Sequence, residues 1–432
     1  MWTVKNPDGQ DDHRRDPSRG LDPPAQHGVP APAQVPPTST GGRRYHYLDN
    51  LKLLLIVLVV VHHASQPYGP ADWWYFEGDD QEPLLGTLSM VSGAFRMALF
   101  FLISAFLIPP AFDGKGGRRF VADRFKRFVP PILVGFFVLV PVLMYAYYLN
   151  FRDLPPMGFL DYYTGVYLGM GDEPAGWTGP IWPDRQFAHL WFLQHLLCYV
   201  LLYAAWRWIA DRFRPAGRDA RRAAPRSTPQ AVGTGAIVAF TAVIALATFA
   251  LRVFYPVDQW VPMLEFIQTE PADMAQYGFF FLAGVLAYRR GWLEAIPARA
   301  GYAWLAVALV LSGAHFAAGG RLDALYAMGG FNAGNLLWST VETTICVGLS
   351  VGLLVVFREW ADRPNRLLTA LAPLTFTVYV LHVPLVVGLQ YAMAAVPVGA
   401  PAKFAVVSVA ATVASFAAGW LVRKTPYLRR LI

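Results

Sequence analysis

Lys52 and His63 lie eleven residues apart, in a stretch that opens Leu48-Asp49-Asn50-Leu51-Lys52, runs apolar, and closes on the doublet His62-His63. On one helix eleven residues make about three turns, so the two side chains share a face, separated by roughly 16 Å along the axis. A histidine titrates near neutrality and can take a proton from a hydroxyl; a lysine can hold an anion. Ionisable groups inside an apolar helix are costly and mark functional sites. If the doublet instead sits among lipid headgroups, it carries no such meaning.

Other residues offer matching chemistry. Arg124 and Arg127, in Arg124-Phe125-Lys126-Arg127 ahead of Pro130-Pro131, fall on one helix face. They are either a basic membrane anchor or a clamp for phosphates, which guanidinium forks bind bidentately. Glu342 is a carboxylate deep in an apolar run and needs a partner or a wet cavity. His189-Leu190-Trp191-Phe192-Leu193, with His195 behind it, and Tyr379-Val380-Leu381-His382-Val383-Pro384 place further histidines beside aromatic residues. Such histidines are often packing residues. Ser104 and Ala105, in Phe100-Phe101-Leu102-Ile103-Ser104-Ala105-Phe106-Leu107, are small enough to let helices approach closely. Arg96, on the same segment, joins the supporting polar set. No zinc spacing, HExxH, phosphate-binding loop or nucleophile elbow is present, and no metal is expected.

The elements that carry these residues are membrane helices. The 432 residues are 55% hydrophobic and only 15% charged, well under the quarter or so of a soluble domain. Apolar runs long enough for a bilayer fall at about 48–66, 88–110, 129–149, 187–209, 232–254, 275–290, 301–318, 335–357, 371–391 and 403–422. The sixth is short and ends at Tyr288-Arg289-Arg290-Gly291. The fold expected is therefore all-α, a polytopic bundle of about ten spans. Residues 1–45 are polar and Pro-rich, read as a disordered cytoplasmic tail, with residues 46–432 as the transmembrane domain.

Charge gives the orientation. Lys and Arg concentrate at the tail, in alternate loops (Lys115 to Arg127, Arg212 to Arg226, Arg289 to Arg299, Arg358 to Arg366) and at the C-terminus. The intervening loops carry Asp72, Glu77, Asp79, Asp80, Glu82, Glu265, Glu270 and Asp273. Both termini are thus expected in the cytoplasm of a multi-pass inner-membrane protein, with His62 and His63 near the outer end of their helix. The net charge of +7 reflects this topology, not a nucleic-acid surface. Trp73, Trp74, Trp177, Trp182 and Trp260 fall on the outer side, as an interfacial belt or as platforms for sugar rings.

Taken in order, these motifs resemble the acyltransferase-3 family of integral membrane O-acyltransferases, and most closely its glucan- and sugar-modifying branch. The family's Leu-Asp-x-Leu-Arg, followed by ten residues and a histidine, is similar to Leu48 through Lys52 with His63. The other matching segments are Phe100–Leu107, Arg124 with Arg127, His189–Leu193 and Tyr379–Pro384, over about 45–425. Lys52 stands where arginine is usual, and Ala105 where glycine is. The resemblance implies transfer of an acyl group, such as acetyl or succinyl, from acyl-CoA as co-substrate to a hydroxyl of a carbohydrate or other acceptor. It implies His63, with His62 as its doublet partner, in catalysis and Arg124 and Arg127 on the CoA; from the residues themselves, Glu342, the carboxylate inside an apolar run, joins the catalytic set and Lys52 the CoA-binding set. Asp49, Arg96, Ser104, His189, Trp191, Tyr379 and His382 would support the substrate or the site. A proton-coupled secondary transporter is the rival reading of intramembrane His and Glu, although the two halves show no internal repeat.

Overall fold

The structure is a computed structural model that describes residues 44–69, 74–78, 81–213, 229–264 and 266–431. The tail predicted over residues 1–45 thus lies outside the described residues up to position 43, as do Asp72, Trp73 and Glu265. Ten long helices follow in order: α1 (His46–Ser65), α2 (Pro83–Phe106), α3 (Gly117–Phe151), α4 (Trp191–Phe213), α5 (Thr234–Phe254), α6 (Met274–Arg290), α7 (Ala298–Ala318), α8 (Ala333–Trp360), α9 (Thr375–Met393) and α10 (Ala400–Lys424). Among the described residues, nine helical segments are long and apolar enough to cross a membrane. The exception is α6: its 17 residues rise only about 26 Å, short of a bilayer core of about 30 Å. One small antiparallel hairpin, β1 (Val261–Met263) with β2 (Ile267–Thr269), interrupts the otherwise helical fold.

Local chemistry sets the helix ends that matter for the site. Glu82 caps α2 by accepting from the Leu84 amide, and Pro83 occupies the first turn, where its missing N–H costs nothing. Asn332 caps α8 in the same way through the Asn335 amide. α3 begins twelve residues before the predicted span and carries Pro130 and Pro131 inside it; just beyond them its ladder widens into a π segment at Gly135–Leu139.

Small residues bring the helices together. A Cβ at Gly284 of α6 would run into the Leu102 carbonyl of α2 and lie 2.8 Å from the Ala105 methyl. α2 and α6 are therefore nearly in backbone contact, which is the use the structure makes of the small residue Ala105. α1 runs antiparallel to α2: Tyr45 packs edge-on to Phe106 at 5.3 Å at one end, and His62 meets Ser92 at the other. α1 is also lined by α8, α9 and α10.

Candidate functional site

A cavity of about 970 Å³ opens at the histidine end of α1. His63 lines it, and three contacts fix the residue. Trp74 stacks on it, with centroids 5.3 Å apart and planes within 15°. The Trp74 indole N–H donates to Gln390 Oε1 at 2.7 Å, and the Gln390 amide donates back to the His63 carbonyl at 3.1 Å. The third contact is the chemical one: His63 Nδ1 lies 2.9 Å from Nε2 of His382, which is fully buried.

Proton positions follow from this chain of contacts. His382 Nδ1 is 2.7 Å from the Tyr379 carbonyl, which can only accept, so His382 carries its proton on Nδ1. Its Nε2 is then the acceptor, and the shared proton belongs to His63 Nδ1. His63 Nε2 is left with its lone pair, on a ring that faces the cavity. The arrangement is that of a base oriented by a second group, with a histidine and a backbone carbonyl as the orienting relay.

Pro384 completes the relay. Lacking an N–H, it leaves the Val380 carbonyl four residues earlier without its helical donor. His189 Nε2 takes that carbonyl at 3.0 Å, and the Tyr379 hydroxyl donates to the His189 carbonyl. His189 packs edge-on to His382 with centroids 5.1 Å apart. The Tyr379-x-x-His382-x-Pro384 spacing thus works as one device: the proline frees a carbonyl, and the freed carbonyl fixes the segment bearing His189.

His62 is placed differently. Its Nδ1 lies 3.0 Å from the Ser92 hydroxyl and its Nε2 3.4 Å from the Gln66 amide, so both nitrogens are occupied. Arg96 is 3% exposed, donates from Nε to the Ser92 carbonyl at 2.6 Å, and lines the same cavity; among the described residues no carboxylate pairs with it. A guanidinium thus stands uncompensated one turn from the serine that holds His62, a position suited to a developing oxyanion.

The cavity continues toward α5, α6 and α8. Trp191 and Trp260 line it, 5.8 Å apart at 66°, with Trp191 stacked on Tyr277 at 5.4 Å. Trp74, Trp191 and Trp260 therefore face the cavity. Trp177 instead carries the Arg152 guanidinium 4.6 Å above its ring. Arg152 pairs with the fully buried Asp184 at 2.9 Å, whose carboxyl is raised by burial even though Arg152 pulls it down. Glu342 is paired, at 2.6 Å, with Arg252, which also meets Asp273 at 2.9 Å. Glu342 lines the same cavity as His63, within its wall away from the His63–His382 pair. His195 bonds Thr269 of the hairpin at 2.9 Å.

The basic residues lie at the other end of the bundle. Arg124 and Arg127 line a separate pocket of about 350 Å³ with Lys115, Lys126 and Asp123. Each guanidinium covers an aromatic ring, Phe120 at 4.9 Å and Phe376 at 5.2 Å. Lys52 is near this end of α1 but does not line the pocket: its ammonium pairs with Asp49 at 2.8 Å, one turn away. Ser104 is half-buried on α2 and borders neither cavity.

Sequence reasoning passed over Gln390, Ser92, Gln66 and Arg252. The signal was available for two of them. Gln390 and Arg252 are polar groups in apolar runs, the same anomaly that marked Glu342. Ser92 and Gln66 become meaningful only through their distance to His62.

The helical bundle thus holds a cavity lined by His63, which is in hydrogen-bond contact with His382, and by Arg96. Residues 45–423 match the acyltransferase domain that defines acyltransferase family 3; the chain belongs to that family and is an O-acyltransferase of the membrane. No curated protein and no solved structure matches the chain.

Proposed function

We propose that the protein transfers an acyl group, acetyl, succinyl or similar, from acyl-CoA to a hydroxyl of a carbohydrate or other cell-envelope or secondary-metabolite acceptor, in the inner membrane. The observation that carries this reading is the relay that leaves His63 Nε2 as a lone pair on the cavity. His63 Nε2 takes the acceptor's hydroxyl proton as its oxygen attacks the thioester carbonyl carbon. The tetrahedral oxyanion lies against the Arg96 guanidinium. Collapse breaks the C–S bond, and the departing CoA thiolate recovers the proton from His63. His382 and the Tyr379 carbonyl stabilise the imidazolium in between, while His62 holds the α1–α2 contact through Ser92.

Arg124 and Arg127 bind the CoA phosphates, with Lys126 adding charge, while Lys115 is paired with Asp123 at 2.5 Å. This separates the donor's anionic end from His63 by most of the length of α1. The pantetheine arm threads the bundle, or the acyl group passes onto a histidine first. Mass spectrometry of the protein after incubation with acyl-CoA and no acceptor separates the two: a histidine adduct supports the relay, and its absence supports threading. The acceptor class is tested by mass spectrometry of surface glycans and envelope lipids from cells with and without the gene. A lost acyl mass on a hydroxylated species supports the reading, and identical profiles in both overturn it.

A further inference from the structure

A base that takes a proton becomes a cation, and the groups around His63 are themselves basic. On the elements packed against it these are His62 on α1, Arg96 on α2, His189 ahead of α4, and His382 with Tyr379 on α9. No carboxylate is among them. Glu342, which α8 puts on the same cavity, is paired with Arg252. α10 contains no acidic residue, and its Lys403 donates to the Ala394 carbonyl. The imidazolium therefore depends on dipoles and electron-rich faces. His382 Nε2 accepts from the ring, and His63 lies in the last turn of α1, where the helix dipole favours a cation. Trp74 supplies the face: it stacks at 5.3 Å and 15°, inside the roughly 6 Å at which an aromatic ring attracts a cation.

One glutamine holds that stack together. Trp74 lies in the α1–α2 connection, is 1% exposed, and donates its indole N–H to Gln390 Oε1 at 2.7 Å. Gln390 is fully buried, two turns beyond His382 on α9. Its amide reaches the His63 and Ala64 carbonyls at 3.1 and 3.4 Å. Only a side chain with both an acceptor and donors can serve the indole and the helix end at once. α9 thus holds His63 twice, by the ring through His382 and by the main chain through Gln390.

We propose that Trp74 and Gln390 are positioning residues of the acyl transfer: the indole face stabilises the His63 imidazolium, and Gln390 keeps the two rings stacked. Their role rests on His63 being the base. Against the neutral imidazole the indole offers little beyond packing. Once His63 has taken the acceptor's proton, the charge on its ring is attracted to that face. The contact is therefore stronger in the transition state than in the resting enzyme, which is the condition for it to raise kcat.

The test replaces Trp74 alone, in the full chain in nanodiscs, by mono-, di- and trifluorotryptophan introduced by nonsense suppression. Fluorine draws electron density from the ring face while leaving the shape and the N–H donor in place, so packing and the Gln390 bond survive. In acyl-CoA-dependent thiol release, kcat should fall stepwise with each fluorine, roughly tenfold by the trifluoro ring, with the KM for acyl-CoA unchanged. A purely structural role would leave the series flat. Gln390→Leu should itself lower kcat, and fluorination on that background should add little, because the rings are no longer held together. Equal kcat across the series, in a protein that loses transfer with His63→Ala, overturns the role of Trp74 and leaves the base standing. Undiminished transfer by His63→Ala overturns the base and this role together. The full stepwise loss persisting in a folded Gln390→Leu protein overturns the role of Gln390. The fluorinated series decides for Trp74 even where Gln390→Leu does not fold.

Discussion

Replacing His382 by alanine tests the proton relay without touching the proposed base. In the wild type the His63 Nδ1–H finds its acceptor 2.9 Å away at His382 Nε2. Alanine removes that acceptor, so the resting imidazole loses its preference for the productive tautomer and the imidazolium formed during transfer loses its partner. A hydrogen bond to a charged group contributes about 1.5–3 kcal/mol. At about 1.4 kcal/mol per tenfold in rate, kcat should fall roughly 10- to 150-fold. The assay is acyl-CoA-dependent release of free thiol from purified protein in nanodiscs. The KM for acyl-CoA should hardly change, because the basic pocket is at the opposite end of α1. His382→Gln places an amide oxygen near the lost nitrogen and should recover much of the rate, which a purely structural role would not predict. A monodisperse His382→Ala protein with kcat within about twofold of wild type would refute the relay.

Other consequences are more local. Arg124→Ala and Arg127→Ala should each raise the KM for acyl-CoA roughly tenfold, for the loss of a guanidinium–phosphate contact, while leaving the KM for the acceptor unchanged in the same thiol-release assay. Gly284→Ala pushes a methyl into the Leu102 carbonyl and the Ala105 side chain, and should destabilise the fold by about 1–3 kcal/mol, read as a lower melting temperature in detergent. Arg152→Ala leaves the fully buried Asp184 carboxylate without its partner. That should cost about 3–5 kcal/mol, and Arg152→Ala with Asp184→Asn should recover part of it.

The helices were legible because the bilayer imposes one simple demand, a run of apolar residues of fixed length. α6 shows where that rule weakens: at 17 residues it is packed against α2 through Gly284, so protein contacts replace membrane thickness as its reason to be helical. Within the site, the spacing of the family's motif points to His63 rather than His62, and both ring nitrogens of His62 are in contact with Ser92 and Gln66. Pairings between distant segments were not legible. His63 meets His382 across 319 positions, and Trp74 meets Gln390 across 316. No local pattern encodes such contacts; they follow from how α1, α2 and α9 pack. Lys52 is the reverse case. Its partner Asp49 was visible in the sequence as a one-turn neighbour, and the structure gives the charge to that pair.

The proposed role of His63 as the base for acyl transfer is tested by one comparison. His63→Ala and wild type are purified in nanodiscs at matched monodispersity, and acyl transfer from labelled acyl-CoA to extracted envelope glycans is counted for each. The variant is expected to retain acyl-CoA binding and to lose transfer to the level of a protein-free control. Transfer by His63→Ala at the wild-type rate would contradict it.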